Sequence, residues 1–357
     1  MATVTWKGQA LALAPDETVL DGLLRNGIAV ASSCRVGACQ SCLLRAARGS
    51  IPESAQKGLG ATLRARGYFL ACRWRPEGEG ASELVEIADD ATLPSVAAVV
   101  RALERPTPDV VRLGLETATP FAYRAGQFVS LARADGLTRS CSLASLPPTE
   151  GRAASLEIHV KRLPGGQMST YLHDVVRVGD RLTVRGPGGD CFYTEGRPRD
   201  PLLLAGTGTG LAPLLGIARD ALARGHLGPI RLIHGALAAA GLYADAELRA
   251  LARVHPTFRY EPCVLQPPPS PAPASGSRAA EGDPIPVRDL QEQVLDALRG
   301  HPGVRVFLCG PPELVVGLRR RVFLAGVPLA DILADAFITA PPTPTTTTTT
   351  TREPGCG

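Results

Sequence analysis

Three cysteines lie within nine consecutive residues of this 357-residue chain, at Cys34, Cys39 and Cys42 in the sequence CRVGACQSC. A fourth cysteine, Cys72, follows in the segment FLACRW. Spacings of four and then two residues, with one more cysteine further along, are the plant-type pattern of ligands to a 2Fe-2S cluster. Small residues in the loop, such as Gly37, allow backbone N–H groups to approach the sulfides. The pattern predicts an N-terminal domain built around a 2Fe-2S cluster.

A structural zinc site is the alternative, because zinc is also bound by four cysteines. Zinc sites of that kind usually contain two C-x2-C pairs, and the second pair is missing here. The total of nine cysteines is odd, and their close spacing is unlike a disulfide framework, which favours a reducing compartment. The start of the chain lacks the basic-then-apolar order of a signal peptide, and no apolar run of about 18 residues occurs. We therefore expect a cytoplasmic protein without a membrane span.

The length of the chain exceeds that of one ordinary core and favours two or three domains. The formal net charge of +4 is too small to indicate a nucleic-acid-binding protein. We predict three units, at residues 1–90, 96–198 and 199–338. A Pro-, Ala- and Ser-rich insertion at 266–286 and a Thr-rich tail at 339–357 are expected to be disordered.

The second and third units differ in their hydrophobic patterns. Short alternating stretches such as DVVRLGLET, GQFVSLA, SLEIHVKR and DRLTVRG indicate an antiparallel barrel or sandwich. From residue 202, PLLLAGTGTGLAPLLGIARDAL indicates a buried strand, a glycine-rich turn and a helix. The apolar face of that helix is formed by Leu211, Leu214, Leu215, Ala218 and Leu222. With IRLIHGA and VRVFLCG as further buried strands, the third unit is expected to be a parallel α/β domain.

Two segments have features of phosphate-binding sites. In the second unit, Arg139 could clamp a phosphate, and the Gly165–Gly166 turn before a helix opened by Ser169 could direct N–H groups at it. In the third unit, the glycine-rich turn at 206–210 precedes a helix with Pro213 in its first turn. Each feature alone is weak, because Gly-Gly turns are common and the glycine-rich turn is not G-x-G-x-x-G.

Five segments follow the cysteine motif in this order: RSCSLAS, HVKRLPGGQMS, AGTGTGLAP, FLCGPPELV and ADAF. In this combination the chain resembles the ferredoxin-fused members of the ferredoxin–NAD(P) reductase family. These are reductase components of multicomponent bacterial oxygenases, and the resemblance covers about residues 1 to 338. It implies a β-grasp plant-type ferredoxin domain, an antiparallel β-barrel that binds FAD and a parallel α/β domain that binds NAD. It implies that electrons pass from NADH through FAD and the 2Fe-2S cluster to an oxygenase component or another electron-accepting protein. We expect a monomer with no nucleic-acid partner.

The resemblance also implies roles for individual residues. The FAD-binding residues are Arg139, Ser140, Cys141, Ser142, His159, Val160, Lys161, Gly165, Gly166, Met168 and Ser169. The NAD-binding residues are Gly206, Thr207, Gly208, Thr209, Gly210, Pro213, Cys309 and Gly310. Three residues are expected at the reacting rings: Ser142 near the reactive flavin nitrogen, Cys309 beside the nicotinamide and Phe337 over the flavin face. For Cys309 and Phe337, an ordinary place in the core is the alternative.

Cys141 departs from the family pattern, which usually has a tyrosine that stacks on the flavin ring. A thiol cannot replace that stacking area, so flavin affinity or potential is expected to change. The alternative is a small buried residue that simply packs adequately.

Charge gives two further expectations. Glu53 is the only acid from Arg35 to Arg75, a stretch with eight basic residues: Arg35, Arg45, Arg48, Lys57, Arg64, Arg66, Arg73 and Arg75. Around the cluster they would favour an acidic docking surface on the acceptor, although a solvated basic face is the alternative. Residues 233–248 contain no Lys or Arg, which favours NADH over NADPH.

Two other functions remain open at the level of sequence. One is a non-catalytic electron-transfer subunit or redox sensor that has kept the fold. The other is a reductase acting on a small molecule such as a deoxysugar intermediate or a quinone.

Overall fold

The computed structural model describes residues 3–28, 30, 32, 35–37, 40–59, 61–65, 67–75, 84–88, 94–148, 151–267, 285–300 and 303–338. The insertion predicted at 266–286 lies mostly outside these ranges, and the tail predicted at 339–357 lies entirely outside them. Within the described ranges, no helix is both long enough and apolar enough to cross a membrane.

In the part of the N-terminal domain that the structure describes, a five-stranded sheet is accompanied by three short helices. Its strands are β1 (Thr3–Trp6), β2 (Gln9–Ala12), β3 (Leu43–Arg48), β4 (Tyr68–Leu70) and β5 (Leu84–Ile87), and its helices are α1 (Val19–Arg25), α2 (Glu53–Gln56) and α3 (Ala61–Ala65). The strand order is β2-β1-β5-β3-β4, with β1 and β5 parallel. Thr18 caps α1 by accepting a hydrogen bond from the Asp21 N–H. The buried face of α1 packs into the core, as expected for a β-grasp domain.

The second domain is an antiparallel sheet of six strands. They are β6 (Ser95–Thr107), β7 (Val110–Pro120), β8 (Phe128–Ala132), β9 (Thr138–Ser142), β10 (Ala153–Lys161) and β11 (Arg181–Gly188). The order is β10-β7-β6-β11-β8-β9, and a bridge between Leu143 and Ile158 joins the two ends. Alternating residues such as Val111, Leu113 and Leu115 are buried inside. The sheet is thus a barrel, which confirms the predicted class.

The helix predicted to open at Ser169 begins earlier. Helix α4 spans Gln167–Thr170 with Gly166 as its N-cap, and one π-helical turn continues it through Val175. Ser169 therefore lies inside the helix, close to its N-cap, where a Cβ on Gly166 would lie 2.5 Å from the Ser169 Oγ.

The third domain has five parallel strands between helices. The strands are β12 (Leu202–Thr207), β13 (Ile230–Ala236), β14 (Phe258–Val264), β15 (Arg305–Gly310) and β16 (Ile332–Ala336), and the helices are α5 (Leu211–Ala223), α6 (Asp245–Val254), α7 (Leu290–Leu298) and α8 (Pro312–Leu324). The order is β14-β13-β12-β15-β16. This confirms the predicted parallel α/β domain. The carboxyl ends of β12, β15 and β16 meet at one edge, where such sheets usually bind ligands.

Candidate cofactor-binding and electron-transfer site

Two of the four cysteines of the motif lie within the described residues. Cys34 and Cys39 lie outside the described residues, whereas Cys42 and Cys72 are buried in the N-terminal core. The Ala71 N–H donates to the Cys42 carbonyl at 3.1 Å, which brings the segments carrying these two cysteines together. A Cβ on Gly37 would lie 2.8 Å from Cγ of Arg73, and Gly37 has φ +85°. Two buried cysteines on hydrogen-bonded segments, and a position 37 that requires glycine, fit the 2Fe-2S ligand set.

Strand β9 carries the motif expected to bind flavin. The Arg139 guanidinium donates to the Thr138 carbonyl at 2.8 Å, which holds it beside its own strand. Cys141 is half-buried and packs against the barrel core. Burial raises the pKa of the Cys141 thiol to about 12, although the charge of Arg139 opposes this rise. The thiol is therefore protonated, and the contacts agree with a small packing residue at this position.

The turn expected to hold the flavin pyrophosphate leaves backbone accessible at one glycine. Gly165 has φ +68°, and a Cβ added there would meet no atom within 4 Å. Ser169 instead faces inward: its hydroxyl accepts from the Leu163 N–H at 3.1 Å and donates to the Gly166 carbonyl at 3.0 Å. Met168 is buried in the barrel core. Open backbone at the turn fits a phosphate group, whereas the Ser169 hydroxyl already serves to shape the turn.

The nucleotide loop packs closely on the neighbouring strand β15. A Cβ on Gly206 would lie 2.4 Å from the Cys309 carbonyl oxygen, and one on Gly210 would lie 2.3 Å from the same atom. Gly208 has φ +54°, and a Cβ there would meet nothing within 4 Å. The loop thus combines two glycines required for packing with one that faces open space before helix α5. This arrangement fits a nucleotide diphosphate at the helix N-terminus.

The residues expected at the reacting rings lie close to the end of strands β15 and β16. Asp335 on β16 lies opposite Cys309 on β15, and its carboxylate accepts a hydrogen bond from the Ser142 hydroxyl at 2.9 Å. The Phe337 N–H donates to the Gly310 carbonyl at 2.8 Å. Ser142, Cys309 and Phe337, which are far apart in sequence, are therefore brought to one junction between the second and third domains.

Two groups at this junction have raised pKa values. Burial raises the pKa of Asp335 to about 6, although the hydrogen bond from Ser142 opposes the rise. Burial and the hydrogen bond with Cys191 raise the pKa of the Cys309 thiol well above its ordinary value. The Sγ atoms of Cys191 and Cys309 are 3.8 Å apart. Cys309 is therefore a neutral thiol buried in the core of the third domain.

Other predicted cofactor residues have different surroundings. His159 is buried between Tyr243 and Glu157, and its ring nitrogens lie 2.8 Å from an oxygen of each. Lys161 is exposed and lies 3.6 Å from Asp109. Val160 is half-buried and packs against the barrel core.

Sequence reasoning missed two residues that make contacts between domains. Asp335 stood within the quoted segment ADAF, and an acid near the carboxyl end of a buried strand could have signalled it. Ser41, beside Cys42, contacts Ser130 at 3.1 Å and Ser140 at 3.3 Å through its hydroxyl. Nothing in the sequence marks this contact with the barrel.

Comparison with known proteins agrees with this architecture. Residues 3–77 match the 2Fe-2S iron-sulfur cluster binding domain, residues 98–193 the oxidoreductase FAD-binding domain and residues 204–320 the oxidoreductase NAD-binding domain. The ferredoxin–NAD(P)+ reductase component of the naphthalene 1,2-dioxygenase system of Pseudomonas putida is 32% identical, over 89% of this chain and 93% of that protein. The chain belongs to the ferredoxin–NAD(P) reductase family. The reductase subunit of an aromatic O-demethylase from Amycolatopsis is 36% identical to this reductase, over 86% and 90% of the two chains.

Solved structures give the same result for the reductase. A cytochrome P450 reductase from Amycolatopsis superposes with a TM-score of 0.65 at 32% identity, covering 96% of this chain and all of that one. The ferredoxin reductase of a carbazole 1,9a-dioxygenase shares the fold, with a TM-score of 0.63 at 23% identity. The predicted fold, the enzyme class and the cofactors 2Fe-2S, FAD and NADH are confirmed. Bound FAD accepts a hydride and releases single electrons, which neither NADH nor the cluster can do alone.

Proposed function

We propose that this reductase is the NADH-oxidising component of a bacterial oxygenase system and that its 2Fe-2S domain delivers electrons to the oxygenase component. Several relatives are named as reductase components of dioxygenases and monooxygenases, among them the phenol 2-monooxygenase of Pseudomonas. Thiolate ligands and a nicotinamide electron donor are both typical of proteins that act in the cytoplasm, and we place the reductase there.

One observation carries the proposal: strand β9 contacts both neighbouring domains. Ser140 contacts Ser41 of the cluster domain, and Ser142 donates to Asp335 of the nucleotide domain. These two side chains lie two residues apart on one strand, so they point to the same side of it. The flavin motif therefore stands between the domain that binds the electron donor and the domain that holds the electron exit. This order is what stepwise transfer from NADH to a protein acceptor requires.

The surface near the cysteine loop supports an acidic acceptor. Arg35 and Val36 are exposed in the loop, and the Arg73 side chain lies against Gly37. Asp21 lies 3.1 Å from Arg35, but both side chains remain largely exposed. An apolar residue flanked by arginines is a common composition for the centre of an interface. Opposite charge on the partner would speed the encounter and make it dependent on salt.

The first experiment follows the whole electron path. Anaerobically purified protein should contain about two irons and one FAD per chain, and NADH should drive reduction of a purified oxygenase component of its source cell. Zinc in place of iron, or NADH oxidation with no oxygenase reduced by any component from that cell, would refute the proposal.

The second experiment tests the docking surface. The double variant R35E/R73E should raise the KM for the oxygenase component and weaken the dependence of that KM on salt, while NADH-dependent ferricyanide reduction stays at the parental rate. R101E is the matched control, because Arg101 is an exposed arginine on the barrel paired with Glu116. An equal rise in KM for both variants would show that docking does not depend on this surface.

A further inference from the structure

A closed set of polar contacts joins the flavin barrel to the nucleotide domain away from the junction of Ser142 and Asp335. From the barrel it includes Arg112 on β7 and Glu157 and His159 on β10. From the nucleotide domain it includes Arg219 on α5, Glu247 on α6 and Tyr243, which precedes α6. The contacts connect the helix that follows the nucleotide loop with the strand that leads into the expected pyrophosphate turn.

Ion pairs form the outer part of this set. The Arg219 guanidinium donates to Glu157 at 2.7 Å and to the Ala144 carbonyl at 3.0 Å, and it also pairs with Glu247. Glu247 pairs in turn with Arg112 at 2.9 Å. All four charged side chains are at least partly buried, so water screens their attraction less than it would on an open surface. Three of these contacts cross from one domain to the other.

The inner part is a directed pair of hydrogen bonds through His159, whose side chain is fully buried. Burial alone would raise the pKa of Glu157, but the hydrogen bond from His159 and the charge of Arg219 lower it to about 2. Because the ionised carboxylate can only accept, His159 donates to it from Nε2 at 2.8 Å. Burial lowers the pKa of His159, so its ring is neutral and Nδ1 is an acceptor. The Tyr243 hydroxyl therefore donates to Nδ1 at 2.8 Å.

The ring of Tyr243 makes two further contacts. The Arg112 guanidinium lies 5.5 Å from the ring centroid, and the His234 ring packs edge-on at 5.9 Å. His234 lies on β13 beside Gly206 of the nucleotide loop. The hydroxyl of Tyr243 thus has a fixed direction, and a loss of its bond to His159 would leave a buried acceptor unsatisfied.

We propose that His159 and Tyr243 are positioning residues, whose hydrogen bond fixes the nucleotide domain against the flavin barrel at the separation that hydride transfer requires. The inference rests on the proposed NADH-oxidising function. Interfaces between domains of one chain usually permit relative motion unless specific contacts oppose it. Small displacements of reacting groups reduce rates strongly, so a contact that orients the two domains affects the rate without touching either ring.

The decisive comparison is Y243F against Y260F in the full chain with its cofactors. Y243F removes only the donor to His159, whereas the Tyr260 ring contacts Arg249 within the nucleotide domain. With Y243F, the rate of FAD bleaching at saturating NADH should fall about tenfold, the size expected for one unsatisfied buried acceptor. The dissociation constant for NADH should stay at its parental value. Amide hydrogen exchange in residues 153–161 and 245–254 should become faster. Y260F should change none of these quantities.

A second pair of variants applies if Y243F loses its fold or its cofactors. H159N keeps an acceptor near the position of Nδ1, whereas H159L removes it, so H159N should retain most of the bleaching rate and H159L should lose it. The inference would be overturned if Y243F kept the parental rates of FAD bleaching and amide hydrogen exchange. It would also be overturned if H159N and H159L showed equal rates of FAD bleaching. Failure of the protein to reduce an oxygenase would leave all of these bleaching rates unchanged, so the two proposals fail separately.

Discussion

Replacing Asp335 with asparagine should change how the stability of the nucleotide domain depends on pH. Burial raises the pKa of Asp335 from an ordinary value of 3.8 to about 6, against the opposing hydrogen bond from Ser142. A rise of about two pKa units corresponds to about 3 kcal/mol between the protonated and charged forms. Because Asp335 keeps some contact with solvent, this figure is an upper bound.

Whether stability rises or falls with pH depends on which state, folded or unfolded, binds the Asp335 proton more tightly. The folded protein holds the Asp335 proton more tightly than the unfolded chain does. The stabilising contribution is therefore complete below about pH 4 and is lost as the pH rises through about 6. Between pH 5 and pH 8, the carboxyl should remove about 1.4 kcal/mol from the free energy of unfolding. D335N has no titrating group there and should lack this loss.

Urea unfolding followed by circular dichroism measures the effect. Tryptophan fluorescence is unsuitable, because Trp6 and Trp74 both lie in the N-terminal domain. The unfolding free energy of the parent minus that of D335N should decrease by about 1.4 kcal/mol from pH 5 to pH 8. S142A should move the transition to higher pH, because the hydrogen bond that favours the carboxylate is removed. Parallel curves for parent and D335N would show that Asp335 does not titrate in this range.

Three further outcomes are expected. G210A should lose NADH binding by calorimetry and about 1 to 3 kcal/mol of stability, because its Cβ would lie 2.3 Å from the Cys309 carbonyl oxygen. G208A places its Cβ in open space and should keep the parental packing, but the φ of +54° should cost it about 1 to 2 kcal/mol of stability. C39S should abolish cytochrome c reduction yet leave NADH-dependent ferricyanide reduction near the parental rate, since serine holds iron poorly. Equal loss of both activities, with FAD still bound and the fold intact by circular dichroism, would show that the cluster is not downstream of the flavin. The value of kcat/KM should be higher for NADH than for NADPH, because residues 233–248 contain no basic side chain for a 2′-phosphate. A preference for NADPH would contradict this reasoning.

Short-range patterns made much of this molecule predictable from sequence. The cysteine spacing, the alternating strands and the glycine-rich turn each reflect a constraint within a few residues of the chain. The third domain follows the prediction closely, because fully buried strands such as β12 and β15 appear as continuous apolar runs. The roles of the individual cofactor residues remain predictions that these local patterns support.

Contacts between distant segments could not be predicted in the same way. His159 belongs to the local segment EIHVKR, which suggested a cofactor role, but its two hydrogen-bond partners are Glu157 and a tyrosine of another domain. Likewise, Asp335 contacts Ser142 only because β16 lies at the edge of the parallel sheet that faces the barrel. Such pairs depend on how the domains dock, and no spacing within one segment encodes that docking.

Strand β9 shows why the departure at Cys141 can be tolerated. Successive side chains of a strand point to opposite sides, so Cys141 packs against the barrel core while Ser140 and Ser142 contact the two neighbouring domains. A change in side-chain size at position 141 therefore alters packing inside the barrel. The contacts that bring the cluster domain and the nucleotide domain to the flavin motif are made from the other side of the strand. The connections between domains can thus persist although the residue at the centre of the motif differs from that of the family.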